Sequence, residues 1–242
     1  MRKSRTAFLF LFLLLLLQSI GPQNQAQAQA QSTPGTDSPK TDSPKPDSPK
    51  TDARKTSQPY TGDLSIFDSP GRDNRLQINR VMGILGIAKG ATVADVGAGS
   101  GWFTVRAARS VGPSGVVYAV DINPEAVKFV ENRAQKEQLQ NVKTILSKAD
   151  DPMLPPNSVD AVLMLKTYHE VAQPVLLLQK LRSALRARGK IGIIDRNGNG
   201  EDHGVARDIV IREASEAGFK LLDQYDFVKG DKMDYFLVLV PR

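Results

Sequence analysis

Between Asn74 and Gly86 the apolar residues Ile78, Val81, Met82 and Leu85 recur at i, i+3, i+4 and i+7. That spacing predicts an amphipathic helix, ended by Gly86. Beyond it, short apolar runs alternate with helix-patterned stretches. Strands are expected at Thr92–Val96, Val116–Val120, Val142–Leu146, Val159–Leu165 and Lys190–Ile194. The fourth is an almost unbroken apolar run, as a strand buried on both faces should be. Helices are expected at Trp102–Ser110 and from the N-cap Asn123 and Pro124 to about Gln138. Another opens at Pro174, carries Leu177, Leu178, Leu181 and Leu185, and closes near Gly189. A last one covers Val205–Ala217, with Gly218 just past its end. Two final strands, Lys220–Phe227 and Tyr235–Val240, are joined only by the short Lys229–Lys232 turn. They predict a hairpin, so one of them runs antiparallel. The fold class is α/β: a doubly wound, seven-stranded, mostly parallel sheet with a C-terminal antiparallel hairpin.

Ahead of Tyr60 the pattern is of another kind. Arg2, Lys3 and Arg5 precede an uncharged apolar run from Ala7 to Leu17. Ala26-Gln27-Ala28 and Ala28-Gln29-Ala30 both match a small-x-small cleavage site. Residues 1–30 therefore read as a secretory signal peptide, cut after Ala28 or Ala30. The apolar core is too short for a comfortable membrane span. Export to a periplasm or the exterior is expected. Membrane contact is expected only through this segment, as a signal or an uncleaved anchor. Residues 31–60 hold a five-residue repeat running from Thr36 to Lys55, with almost no apolar residue. Such a stretch cannot offset the entropy of ordering, and its prolines make it a semi-rigid, disordered linker. That leaves 61–242 as one domain with room for a sizeable core.

Composition narrows the chemistry. The formal net charge is +6, three of it from Arg2, Lys3 and Arg5. Loss of the signal leaves about +3, too dispersed to suggest a nucleic-acid partner. The chain has no cysteine, which excludes disulfides, thiolate metal sites and a cysteine nucleophile. Its only histidines are His169 and His203, so no metal site is expected. There is no G-x-x-x-x-G-K-[ST] phosphate loop, no H-E-x-x-H and no G-x-S-x-G elbow. Oligomeric state leaves no signature.

The sharpest motif follows the first strand. Asp95-Val-Gly97-Ala98-Gly99-Ser-Gly101 stands between an apolar run and a helix-patterned segment. Glycines allow positive φ and close approach of a ligand, and the unpaired N–H groups of a helix start face it. A dinucleotide fingerprint, G-x-G-x-x-G/A, needs a small third residue, and Trp102 stands there. The acid-first pattern instead resembles the first motif of class I S-adenosylmethionine (SAM) methyltransferases. The seven strands with a terminal hairpin are similar to that family's Rossmann-like fold, over about Leu76 to Val240.

The resemblance implies SAM as cofactor and a small-molecule acceptor of unknown identity. It places Gly97, Ala98, Gly99 and Gly101 under the methionine and ribose, with Asp95 supporting the loop or the amino group. Asp121, at the end of the second strand, matches the acid that accepts both ribose hydroxyls, with Ile122 beside it. Asp150, counted back from Leu154-Pro155, matches the acid that accepts from the adenine amino group; Asp151 is its rival. Lys166 would line the cofactor. Tyr168, His169 and Glu170, in the loop after the fourth strand, would shape or deprotonate the acceptor. His169 is the best general-base candidate, because imidazole titrates in the useful range. His203 lies in a polar loop after the fifth strand, read as a lid or a solvated loop. Arg72 and Arg75, ahead of the first helix, would face an anionic group or simply a surface. Two other classes remain at this point: an exported binding module that kept the fold without turnover, and an NAD-type oxidoreductase. Export also conflicts with a cofactor made in the cytosol.

Overall fold

The computed structural model describes residues 54–56, 60–199 and 202–242, all within the unit Pro49–Arg242. The segment read as a signal peptide and nearly all of the repeat lie outside the described residues. Among those described, no helix is long and apolar enough to cross a membrane.

Seven strands form one sheet: β1 (Thr92–Val96), β2 (Val116–Asp121), β3 (Val142–Leu146), β4 (Val159–Leu165), β5 (Leu185–Asp195), β6 (Phe219–Tyr225) and β7 (Tyr235–Pro241). Their order is β3-β2-β1-β4-β5-β7-β6. β1 to β5 pair in parallel, and β7 runs antiparallel to both β5 and β6. The expected hairpin is therefore present, with its second strand inserted beside β5. Its connection is not a tight turn but a 3-10 helix at Phe227–Asp231.

Alternate residues of each central strand face opposite sides. In β4, Val162 and Met164 join one apolar cluster while Ala161 and Leu163 join the other. The first cluster packs against α5 (Pro174–Ala184) and α6 (Arg207–Glu216) through Leu177, Leu178, Leu181 and Val210. The second packs against α2 (Ile78–Leu85) and α3 (Trp102–Val111) through Val81, Leu85, Phe103 and Ala107. With both faces covered, β4 needs its unbroken apolar run. A further helix, α4 (Pro124–Lys136), opens at Asn123, whose side chain accepts from Glu125 N–H at 2.9 Å.

Three local expectations change. The helix expected from Asn74 to Gly86 is two: α1 (Arg72–Leu76) and α2, broken at Gln77 with φ 53°. Leu76 and Ile78 are both buried. In a continuous helix they would point about 200° apart. A left-handed residue between them lets both face inward. Next, α5 stops at Ala184, well short of Gly189, and β5 begins at Leu185. Leu185 is buried and pairs with Val159, which draws it into the sheet. Finally, Arg54 lies in the stretch read as linker but is bound to the domain. Its N–H donates to Ala172 O at 2.9 Å, and its guanidinium donates to Tyr168 O, Val171 O and the Glu213 carboxylate.

Candidate active site

Ligands of open α/β sheets sit at the carboxyl ends of the strands, where the strand order reverses. Here that place is between β1 and β4, and a cavity of about 500 Å³ opens there. That volume is in the usual range for a small-molecule site.

The glycine loop forms its floor. Gly97, Gly99 and Gly101 all have positive φ. A Cβ on Gly97 would lie 2.8 Å from Thr167 Cβ, so the loop after β1 and the loop after β4 touch without room for a methyl group. A Cβ on Gly99 would lie 3.5 Å from the Phe67 ring, filling the space over the loop. The N–H groups of Gly97 and Ala98 both donate to Val120 O, at 2.8 and 3.1 Å. Gly99 N–H donates to Asp121 Oδ2 at 2.9 Å, and Asn123 N–H donates to Asp121 Oδ1 at 2.9 Å. The Asp121 carboxylate thus ties the two loops together and keeps a lone pair on each oxygen. Ile122, 44% exposed, lies beside it on the cavity wall.

Asp95, inside β1, is buried and reaches the cavity. Thr104 Oγ1 donates to its Oδ2 at 2.6 Å. Burial pushes this carboxyl up to about 7; the Thr104 hydrogen bond opposes the shift and the nearby Asp121 charge adds to it. Folded chains then hold a proton on Asp95 at pH values where unfolded chains have lost it. The stability this group contributes is full below about 4 and is lost as pH rises toward 7. Asp95→Asn, which has no charge to bury, should therefore gain in melting temperature over the parent by more at pH 8 than at pH 4. An equal offset at both pH values would mean that folding does not raise the Asp95 carboxyl.

The loop after β4 carries the polar end. Lys166, at φ 55°, and Thr167 line the cavity. His169 is buried and lies on the cavity wall. Its Nδ1 is 2.8 Å from Asp195 Oδ1 and 3.0 Å from Oδ2, and its N–H donates to Asp195 Oδ2 at 3.1 Å. Asp195 ends β5, is fully buried, and also accepts from Arg196 N–H at 2.9 Å. A carboxylate there can only accept, so Nδ1 carries the proton and Nε2 presents its lone pair. That Nε2 is 3.7 Å from Glu170 Oε1. Burial raises the Glu170 carboxyl from its ordinary range, and His169 and His203 pull it back. His203 lies on the same wall, its ring 5.9 Å from that of His169.

Not every candidate is brought in. Tyr168 is fully buried and off the cavity wall, and its hydroxyl donates to Glu213 Oε2 at 2.8 Å. Burial and the Glu213 charge push its pKa upward, so it is a poor proton donor or acceptor. It holds the loop rather than an acceptor. Asp150 is also off the wall, where Ser147, Lys148, Ala149 and Pro152 stand instead. A backbone pairing between Lys148 and Asp151 closes a turn around Asp150, and residues on both sides of it line the cavity. Arg72 does reach the cavity wall and Arg75 does not; both bind the Asp231 carboxylate, and Arg72 stacks over Trp102 with its guanidinium 4.5 Å from the ring centre. Those cations are engaged with the protein. Asp195 escaped sequence reasoning, although its place immediately after the fifth apolar run was a usable signal.

A family model described as a methyltransferase domain matches residues 87–222, more than half of the chain. A demethylmenaquinone methyltransferase from Geobacillus sp. (strain WCH70) is 29% identical over 107 residues, covering 44% of this chain and 46% of that protein. One from Geobacillus stearothermophilus is 32% identical over 107 residues, covering 39% and 46%. The chain spans about half the length of the curated relatives it matches. Among solved structures, a SAM-dependent methyltransferase from Aquifex aeolicus aligns with 73% of this chain and 95% of its own, at a TM-score of 0.66 and 25% identity. The sheet order, the glycine loop beneath the cavity and the extent of the family match agree: the chain belongs to the class I SAM-dependent methyltransferase family.

Proposed function

We propose that this chain moves the methyl group of SAM onto a small molecule that presents an ionisable hydroxyl. The observation that carries this reading is the Asp195–His169 pair, aimed into the cavity that the glycine loop underlies. SAM, when bound, supplies a methyl group on a positively charged sulfur that leaves readily.

The residues present suit that cofactor. Gly97 and Gly99 leave the floor without side chains. The two spare lone pairs of Asp121 suit a pair of ribose hydroxyls, and Ile122 offers an apolar face beside them. Asp150 and Tyr168 drop out of the contacts proposed, and Asp95, Ala98, Gly101 and Lys166 stay in them. Leu64, Ile66 and Leu177 add apolar side chains to the cavity wall. An acceptor with an apolar body fits that wall; relatives named for demethylmenaquinone carry a substrate of that kind in their name. His169 takes the acceptor proton at Nε2, while Asp195 fixes the ring and stabilises the charge it gains. Alignment of acceptor oxygen and methyl carbon supplies most of the rate, through proximity and orientation.

Export belongs to the same proposal. The N-terminal pattern supports a mature chain beginning near Gln29 or Gln31, acting where SAM must be delivered from the cytosol. N-terminal sequencing of the protein from fractionated cells tests it.

The test of the cofactor reading uses Trp102, the only tryptophan, which lies on the cavity wall. Titration with SAM and with S-adenosylhomocysteine should change its fluorescence saturably, at micromolar concentrations, while NADH leaves it unchanged. No heat of binding with SAM by calorimetry would sink the reading.

A further inference from the structure

We infer that His169, Glu170 and His203 form a binding site for a divalent transition-metal ion, of the zinc or ferrous class, at the acceptor end of the cavity. One ligand atom from each residue can be chosen so that all three lie within 4.8 Å of one another. Metal–ligand bonds of about 2.1 Å place the ligand atoms of a tetrahedral site about 3.4 Å apart. The 3.7 Å between His169 Nε2 and Glu170 Oε1 is already near that value. The remaining closure falls to His203, which is exposed and sits on a loop at φ 59°.

A second observation points the same way. Metal-bound histidines as a rule donate their other ring N–H to a carboxylate, which fixes the tautomer and raises the basicity of the ligating nitrogen. His169 does this through Nδ1 to Asp195, itself fully buried and also held by two backbone N–H groups. The nitrogen left over is the one that faces Glu170. The sequence contains two histidines, 34 residues apart, and the fold brings both to one cavity wall. Two imidazoles and one carboxylate select transition ions over magnesium, which prefers oxygen ligands. This goes against the expectation of no metal that the low histidine count gave.

Three protein ligands leave a fourth position open toward the cavity. An oxygen of the acceptor would take it, so the site belongs to the acceptor half and not to the glycine loop. In its role as an acceptor subsite it rests on the methyl-transfer reading and replaces only the base step. Nε2 has one lone pair, so with an ion bound the metal acidifies the acceptor hydroxyl, whose proton leaves to water, and His169 is a ligand instead of the base. Metal binding itself does not.

The chain's composition makes the test clean, since it has no cysteine and no third histidine to compete. The untagged full chain, stripped with a chelator, is titrated with zinc alone against a chromophoric competitor. One zinc per chain is expected, with a dissociation constant of about 1 µM or tighter. His203→Ala, at an exposed position that leaves the core untouched, should weaken it at least about a hundredfold, by 2.7 kcal/mol. Asp195→Asn, which keeps all three ligands, should weaken it about 10- to 100-fold. Weaker binding by the parent, a smaller loss in His203→Ala, or equal competition by magnesium would overturn the assignment. Melting temperature confirms that each variant is folded. SAM titration of the same samples reports separately on the cofactor reading, so zinc binding without SAM binding would fault that reading alone.

Discussion

Gly97→Ala should lower SAM affinity at least about a hundredfold and cost about 3 kcal/mol of stability. Two independent causes act at this position. Its φ of 78° lies in the left-handed region, where a Cβ costs about 1–2 kcal/mol. The added carbon would also stand 2.8 Å from Thr167 Cβ, an atom next to the backbone and unable to swing away. Either the glycine loop rises into the cofactor space or the loop carrying Lys166 and His169 is pushed back. Both outcomes damage the cavity, which is why affinity falls further than stability alone would suggest. Gly83→Ala is the control. It sits inside α2 with nothing near its Cβ, so it should leave affinity unchanged and raise stability slightly. Calorimetric titration and thermal melts of both variants check the pair. Unchanged affinity in Gly97→Ala would show that the cofactor does not depend on this loop.

Asp121→Ala should have the second-largest effect. Its carboxylate accepts from Gly99 and Asn123, so truncation releases both the glycine loop and the start of α4. Charge-assisted hydrogen bonds contribute about 1.5 kcal/mol or more each, so loss of two to a ribose predicts about a hundredfold weaker SAM binding. Asp121→Asn separates the roles. An amide has one acceptor oxygen and cannot serve both N–H groups, but it keeps the volume. Intermediate affinity is expected for it. Equal affinities for parent, Asn and Ala would assign Asp121 to loop support alone.

Much of this arrangement was readable along the chain, because it depends on local chemistry. The five parallel strands show as apolar runs, and the glycine loop shows as three residues that can take positive φ. Asn123 caps α4 because a short acceptor followed by proline is suited to a helix start. Gly218 follows α6 at φ 86° for the matching reason at a helix end. What stayed hidden depends on contacts between distant residues. Nothing near Tyr168 announces that Glu213, 45 positions away, takes its hydroxyl. Nor does the sequence near β7 announce that it inserts between β5 and β6. The turn at Lys148–Asp151 that carries Asp150 off the wall is a backbone pairing with no side-chain signature. The break at Gln77 was legible in principle, since Leu76 and Ile78 cannot share one face of a helix.

Arg54 ties the chain ahead of Tyr60 to the loop that carries His169. Its guanidinium grips two carbonyls, Tyr168 O and Val171 O, that bracket His169 and Glu170, and Thr56 contributes to the cavity wall. A fragment beginning at Tyr60 keeps every strand of the sheet yet loses that clasp, leaving Glu213 without its cation. Two preparations differing by only a handful of residues at the front would then differ in the His169 loop, fastened in one and loose in the other. Whatever trims or tugs the tail in its native setting acts directly on the wall of the cavity.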